Sequence, residues 1–299
     1  MSSLVLRDPD RELRQLAVLS HCATRVLELG GAGEDDPDTY AGVIRLDPGL
    51  AASIVQMVNS PALGLGHPVH SIREACFSLD ARKLLGIVGA CAVMRRFPRD
   101  GVGSRGFDRH AFWIHCAATA TLAGAVAREV DAEPELAFVT GLLHDLGRIT
   151  LESHFPRQFR AILLYRERHD VWIRDAEAAV LGFDHTVVGE RLAGHWQLPR
   201  DIADGIAHHH QPERSTSRHP VAAIVHVADI LARGLEVGNP GDDTIPLLSE
   251  EALRVLGLNW TRLRRCLHRG GDGLSGIDAL VDRVLPRYET SAPDRAETH

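Results

Sequence analysis

The sequence predicts an all-α fold. Apolar residues recur at three-to-four spacing along the chain, no segment alternates convincingly as a strand would, and Ala, Leu, Arg and Glu, all favourable in helices, dominate the composition. Asp47-Pro48 opens a well-marked helix, with an acceptor side chain at the cap and Pro in the first turn, where its missing N–H removes no helical bond. Ser71-Ile72-Arg73-Glu74 has the spacing of a capping box and opens another. Residues 97–109, FPRDGVGSRGFDR, combine one proline with three glycines and are crossed by no apolar period, so a domain junction is placed there. The Ala- and Thr-rich stretch Ala111 to Glu129 predicts a central helix that its neighbours can approach closely. Pro134 starts the next, expected to run through LAFVTGLLHDLG, and Asp184 caps a third that carries VVGERLAGHW up to Leu198-Pro199. Two more are expected over 200–210 and 221–233. A Gly/Pro/Asp loop to Pro246 follows, then short helices near 249–256, 259–268 and 277–285 and a tail, SAPDRAETH, expected to be disordered.

With 299 residues the chain is long enough for two domains or one large one, and 44% hydrophobic against 24% charged residues excludes a disordered chain. No run of 18 apolar residues occurs, and the N-terminus MSSLVLRDPDRELRQL carries acids where a signal peptide would not, so a cytoplasmic protein with no membrane partner is expected. The five cysteines are scattered, without a CxxC pair, and read as reduced core thiols. A formal net charge of −7 argues against nucleic acid as a partner, because phosphate contacts need a basic face. Lys83 is the only lysine; arginine supplies the remaining positive charge.

Histidine is the unusual residue, 17 against three tyrosines, and its placement carries the chemistry. His144-Asp145 sits between leucines in GLLHDLGRI, where a core helix should be apolar. A buried, unpaired carboxylate costs several kcal/mol, roughly, so Asp145 needs a metal, an arginine or several donors. Asp229, in VAAIVHVADILA, poses the same problem with Arg233 as its only obvious local cation, and His115 is the polar residue of FWIHCAA. Each alone reads as a core residue with a local partner. Together with His185 and the pair His209-His210 they form an ordered set.

The order His, His-Asp, Asp resembles the HD superfamily of metal-dependent phosphohydrolases, and His185 with the His pair is similar to its binuclear members. The resemblance implies an HD-type helical core in which His115, His144, Asp145 and Asp229 hold one divalent metal and His185, His209 and His210 a second, with Asp145 bridging. Imidazoles and carboxylates suit Fe, Mn, Zn or Ni. Asp145 and Arg148 are the candidate catalytic residues, Arg148 neutralising a phosphate one turn after Asp145, where many HD enzymes carry lysine. After His210 the chain reads QPERSTSRHP and lacks the Gly-Tyr-Pro motif of cyclic di-GMP phosphodiesterases of this superfamily.

A second resemblance covers more of the chain. Asp47-Pro48, Asn59-Ser60-Pro61 and Ser71-Ile72 before an apolar helix, then LLHDLGRITL, GFDHTVVGERLAGHWQLP, GIAHHHQP and VADILA, are similar to the HDOD family, the HD-related output domain of bacterial signalling proteins, over roughly residues 16 to 235. It implies an N-terminal helical subdomain over residues 1–100, an HD-like metal-binding core over 108–235, and C-terminal helices with the tail over 236–299. The implied function is a regulatory module acting through a signalling partner in trans or a nucleotide-like ligand; the alternative is an active nucleotide or cyclic-nucleotide phosphohydrolase. His208 extends the His pair to a triplet and is expected to be an exposed neighbour rather than a ligand; His67, His70, His154, His195 and His226 are expected to cap helices, meet backbone carbonyls or face solvent, Trp196 to anchor the core, and the run 261–269 to be a solvated helix face.

Overall fold

The computed structural model of the chain describes residues 19–61, 63, 65–97, 106–275 and 277–284. These form helices and loops without a strand. The N-terminal half contains α1 (His21–Gly31), α2 (Pro37–Ile44), α3 (Pro48–Val58), α4 (Ile72–Ser78) and α5 (Ala81–Arg96). Their starts are set by local chemistry: the side chains of Ser20, Asp36, Asp47, Ser71 and Asp80 each accept a hydrogen bond from a backbone N–H of the first turn. At Ser71 the Glu74 carboxylate reaches back to the N–H of His70, at 2.8 Å, so the expected reciprocal cap forms one residue further out. Asn59 ties down the following loop by exchanging two hydrogen bonds with the backbone of Val69.

The second half runs α6 (Arg109–Glu129), α7 (Pro134–Leu143), α8 (Leu146–His154), α9 (Pro156–His169), α10 (Ile173–Leu181), α11 (His185–His195), α12 (Arg200–His208), a short 3₁₀ turn (Pro212–Arg214), α13 (Val221–Gly234), α14 (Glu250–Leu256), α15 (Trp260–Leu274) and α16 (Ile277–Val284). Buried apolar residues form a continuous cluster from Leu19 to Val281, so both halves share one core. Arg82 on α5 reinforces the join by pairing with Glu133 at 2.6 Å and Asp201 at 3.2 Å. No described helix is long and apolar enough to cross a membrane. The expected junction falls largely on residues 98–105, which, like the tail and the first 18 residues, lie outside the described residues.

Two features of this half position the site. α6 is buried along nearly its whole length, and its Ala-rich surface lets α7 and α13 lie close on it. The helix expected to run through HDLG instead breaks. α7 ends at Leu143, His144 and Asp145 form a turn, and α8 starts at Leu146. The break turns α8 against α11, and a Cβ built on Gly147 would run into the carbonyl of His185. Glycine at 147 is therefore the condition for bringing Asp145 beside His185. Gly147→Ala is expected to destabilise the protein by about 2–3 kcal/mol through overpacking, read as a lower urea midpoint. Unchanged stability would show that α8 and α11 can separate to admit the methyl group without cost.

Candidate metal centre

Three helices and two turns deliver the centre. His115 comes from α6, His144 and Asp145 from the α7–α8 break, His185 from the first turn of α11, His209 and His210 from the turn after α12, and Asp229 from α13. His115, His144, Asp145, His185 and His209 have no solvent exposure, Asp229 has 2%, and only His210 is partly exposed. His115 Nε2 lies 3.0 Å and His144 Nε2 3.9 Å from Asp229 Oδ1, and His144 Nε2 lies 3.4 Å from Asp145 Oδ2. On the other side of Asp145, Oδ1 is 3.0 Å from His185 Nε2 and 3.8 Å from His209 Nε2, while His210 Nε2 is 3.1 Å from His185 Nε2. The ligand atoms therefore fall into two groups, His115–His144–Asp145 and Asp145–His185–His209–His210, that share one carboxylate.

The ring orientations are fixed from behind. His144 Nδ1–H donates to the carbonyl of Gly141 at 2.7 Å and His209 Nδ1–H to that of Ile206 at 2.9 Å, each one turn back. His185 Nδ1 meets Glu177 Oε2 at 2.6 Å. With Nδ1 committed in this way, Nε2 presents its lone pair to the centre, the arrangement that metal-ligating histidines require. The consequence is a knot of buried polar atoms without hydrogen-bond partners: His144 Nε2, His209 Nε2, Asp145 Oδ1 and both ring nitrogens of His115, although other ligand atoms stand close by. Buried polar atoms are rarely left so, and acceptors about 3–4 Å apart are spaced as donors to a shared cation would be. These residues fit a divalent metal.

Two arginines complete the charge balance. Burial opposes ionisation of Asp145 and Asp229, but Arg148 with His144 and His185 outweighs it at the first, and Arg233 with His115 at the second, holding both carboxyls well below the usual range. Burial pushes His115, His209 and His210 below the ordinary imidazole value, which keeps them neutral as ligands must be.

Arg148 differs from the phosphate-binding role expected of it. It is fully buried, and its guanidinium is held by Asp145, by Glu177 at 3.2 Å and by the carbonyl of Pro240 at 3.1 Å, with Nη2 against the His185 ring. The five-donor fork of arginine is used internally, where a lysine would offer a single point charge. His208 lies outside the cluster, 4.0 Å from Asp204, and Cys116 is a buried thiol whose pKa burial raises. His226 serves the centre indirectly: its Nδ1–H donates to the carbonyl of His209 and its Nε2 accepts the N–H of Ser249.

Sequence reasoning missed Glu177 and the loop 236–244. Glu177 is fully buried on α10, on the stripe defined by Ile173, Ala176 and Leu181, and that acid on an apolar stripe was the available signal. The loop closes over the centre as a strap. The N–H of Asn239 donates to the carbonyl of Ala111, Asp242 takes Arg233 Nη1 at 2.6 Å and the N–H of Ile173 at 2.7 Å, and Gly238 lies against the backbone of His115 so closely that a Cβ would overlap it. Gly238 has φ of 73°, so glycine is required there by conformation as well as by space.

An all-helical core that gathers this His, His-Asp, Asp set defines an HD-like domain. The chain belongs to the HDOD domain family, whose profile matches residues 16–212. It is 24% identical over 226 residues to a protein of Treponema pallidum (strain Nichols) described as uncharacterised, covering 73% of this chain and 42% of that one, so the chain spans less than half of that relative. Among solved structures it is similar to an HDOD domain protein of unknown function from Geobacter sulfurreducens, with 24% identity, a TM-score of 0.67, and coverage of 94% of this chain and 100% of that one. It is also similar to a candidate phosphohydrolase from Shewanella amazonensis SB2B, with 20% identity, a TM-score of 0.69, and coverage of 92% and 97%.

A pH dependence follows for cation binding. Burial and Arg148 disfavour the charged form of His185, but Glu177 and Asp145 outweigh them and raise its pKa to about 9. At pH 7 a bound divalent ion must displace that proton, so Mn²⁺ affinity should climb about tenfold per pH unit up to about pH 9. Calorimetric titration in buffers of different ionisation heat should detect about one proton released. Glu177→Gln should flatten the slope, and a flat profile in the parent protein would remove His185 from the ligand set.

Proposed function

We propose that this chain is a cytoplasmic signal-transduction output module of HDOD type, in which a divalent metal centre that Asp145 would help to hold serves as a structural and regulatory element. His115, His144 and Asp145, with Asp229 beside the two imidazoles, would hold one ion, and His185, His209 and His210 with Asp145 the other, from among Fe, Mn, Zn and Ni. The closure of the centre supports this reading most directly. Catalytic metal sites keep a coordination position open to water and substrate, whereas every ligand of this one but His210 is buried and the strap lies over it. Arg148, the residue best suited to receive a phosphate, is already committed to Asp145, Glu177 and Pro240.

A binuclear centre of this type, when bound, can activate a water and clamp a phosphate, which is the basis of the alternative phosphohydrolase reading. That reading draws on the full ligand set and on His210, the one member that reaches the surface, beside Trp172. The chain's own residues orient imidazoles and exclude water, and on the His185–His210 side Arg148 is committed internally while Arg174 pairs with Asp184 and lies over Trp172. The regulatory reading therefore assigns the module a partner protein in trans or a nucleotide-like ligand, with neither nucleic acid nor membrane as partner.

Elemental analysis of the purified protein with phosphodiesterase assays tests both readings. Near-stoichiometric transition metal, with weak or absent cyclic di-GMP hydrolysis by Mn²⁺-loaded protein, is expected. Asp145→Ala should lose metal and Tm together. Because it also strands Arg148, worth about 3–5 kcal/mol by itself, the telling comparison is chelation, which should lower the Tm of the parent and leave the variant unchanged. Robust cyclic di-GMP turnover abolished by Asp145→Ala would put the enzyme reading first.

A further inference from the structure

The strap does not end at the metal centre. After Thr244 it continues as Ile245-Pro246-Leu247-Leu248, which forms one wall of an apolar groove of about 730 Å³ between α13 and α15. Ile230, Leu231 and Gly234 of α13 and Leu263 and Leu267 of α15 line the rest. Of the eight large apolar residues exposed among the described residues, four border this groove: Leu235 at 45%, Ile245 at 55%, Leu247 at 94% and Trp260 at 83%. Isolated exposed apolar residues are ordinary, whereas four around one concavity mark an interaction site.

The charge of the groove selects its occupant. Arg264 is the single charged residue lining it. Its neighbours Arg262, Arg265 and Arg269 all turn to Glu129, but among the described residues Arg264 has no carboxylate partner. A second copy of this chain packed groove to groove would bring another Arg264 and no acid to meet it. A trough between two helices, with alternate apolar side chains on its walls, is shaped to receive a third helix.

We propose that this groove docks an amphipathic helix of a partner protein that carries an acidic residue opposite Arg264, and that docking is coupled to the strap over the metal centre. The inference rests on the regulatory reading for its purpose, but its geometry is separate. The coupling is built into two elements. α13 presents Asp229 and Arg233 to the centre and Ile230, Leu231 and Gly234 to the groove. The strap is pinned to the centre through Asn239, Pro240 and Asp242, and Arg233 Nη1 also donates to the carbonyl of Thr244, one residue before the groove wall begins. A helix that displaces Ile245 or Leu247 pulls on a segment whose hydrogen bonds close the site.

The test uses the full chain and a displayed library of amphipathic helices with Leu at i, i+3, i+4 and i+7 and every residue allowed at one flanking position. Selection should enrich Asp and Glu at the varied position. Trp260→Ala should weaken the selected peptides about tenfold, as for an aromatic anchor, and Arg264→Glu should reverse the preference to Lys and Arg. Hydrogen exchange at the Asn239 amide should change severalfold when the selected peptide binds. The proposal is overturned if no helix is selected, if Arg264→Glu leaves the preference unchanged, or if peptide binds without altering exchange in the strap. Binding to phosphatidylglycerol vesicles in place of peptide, or a dimer abolished by Leu247→Asp, would likewise overturn it in favour of a membrane or a second copy. Peptide docking with strap coupling by a protein found to hold no metal would refute the metal assignment alone.

Discussion

Asp145 and Asp229 carry two negative charges inside a largely apolar helical core, and the surrounding structure is organised around compensating them. An ionised carboxylate removed from water is stable only with cations and donors fixed around it. Here each acid has its own arginine within one turn, Arg148 for Asp145 and Arg233 for Asp229, and its own imidazoles arriving from other helices. The helices cannot drift apart without exposing or stranding a charge. That is why a centre made of small side-chain contacts can set the relative positions of α6, α8, α11 and α13.

The same arginines carry the constraint outward. Arg148 and Arg233 each satisfy a site carboxylate and then a group in the strap, the Pro240 carbonyl in one case and Asp242 in the other. The strap is thus held by the residues that balance the centre. Arg148 and Arg233 join the two carboxylates of the centre to the loop that covers it.

Close helix approach is the other condition. Gly141 faces the backbone of Ala120 on α6, and Gly147 faces His185 on α11, so the His144-Asp145 turn is clamped between two glycine contacts. The break between α7 and α8 at this point is what aims His144 and Asp145 into one site. Periodicity alone reads the segment as one helix, because Leu142, Leu143, Leu146 and Ile149 continue an apolar stripe across it. Packing of α8 against α11 decides otherwise.

The sequence by itself determined the helical class, the capped starts at Asp47, Ser71 and Asp184, and the ordered set from His115 to Asp229, because caps and misplaced polar residues are local signals that need no knowledge of the partner. His185 and the His209-His210 pair entered through their place in that order and its resemblance to binuclear HD proteins, not through a local signal of their own. Glu177 and the strap were not. Nothing near Glu177 in the sequence indicates that its acceptor oxygens will meet the backbone and ring of a histidine eight positions on, and nothing in GNPGDD indicates that Asn239, Pro240 and Asp242 will each bond a residue of the centre or its surround. Arg148 shows the limit most clearly: its spacing from Asp145 is visible in the sequence, but only the fold decides that its remaining donors face Glu177 and Pro240 rather than a ligand. Those partners lie 29 and 92 positions away. Long-range hydrogen bonds of this kind depend on how helices pack, and packing is a property of the whole core.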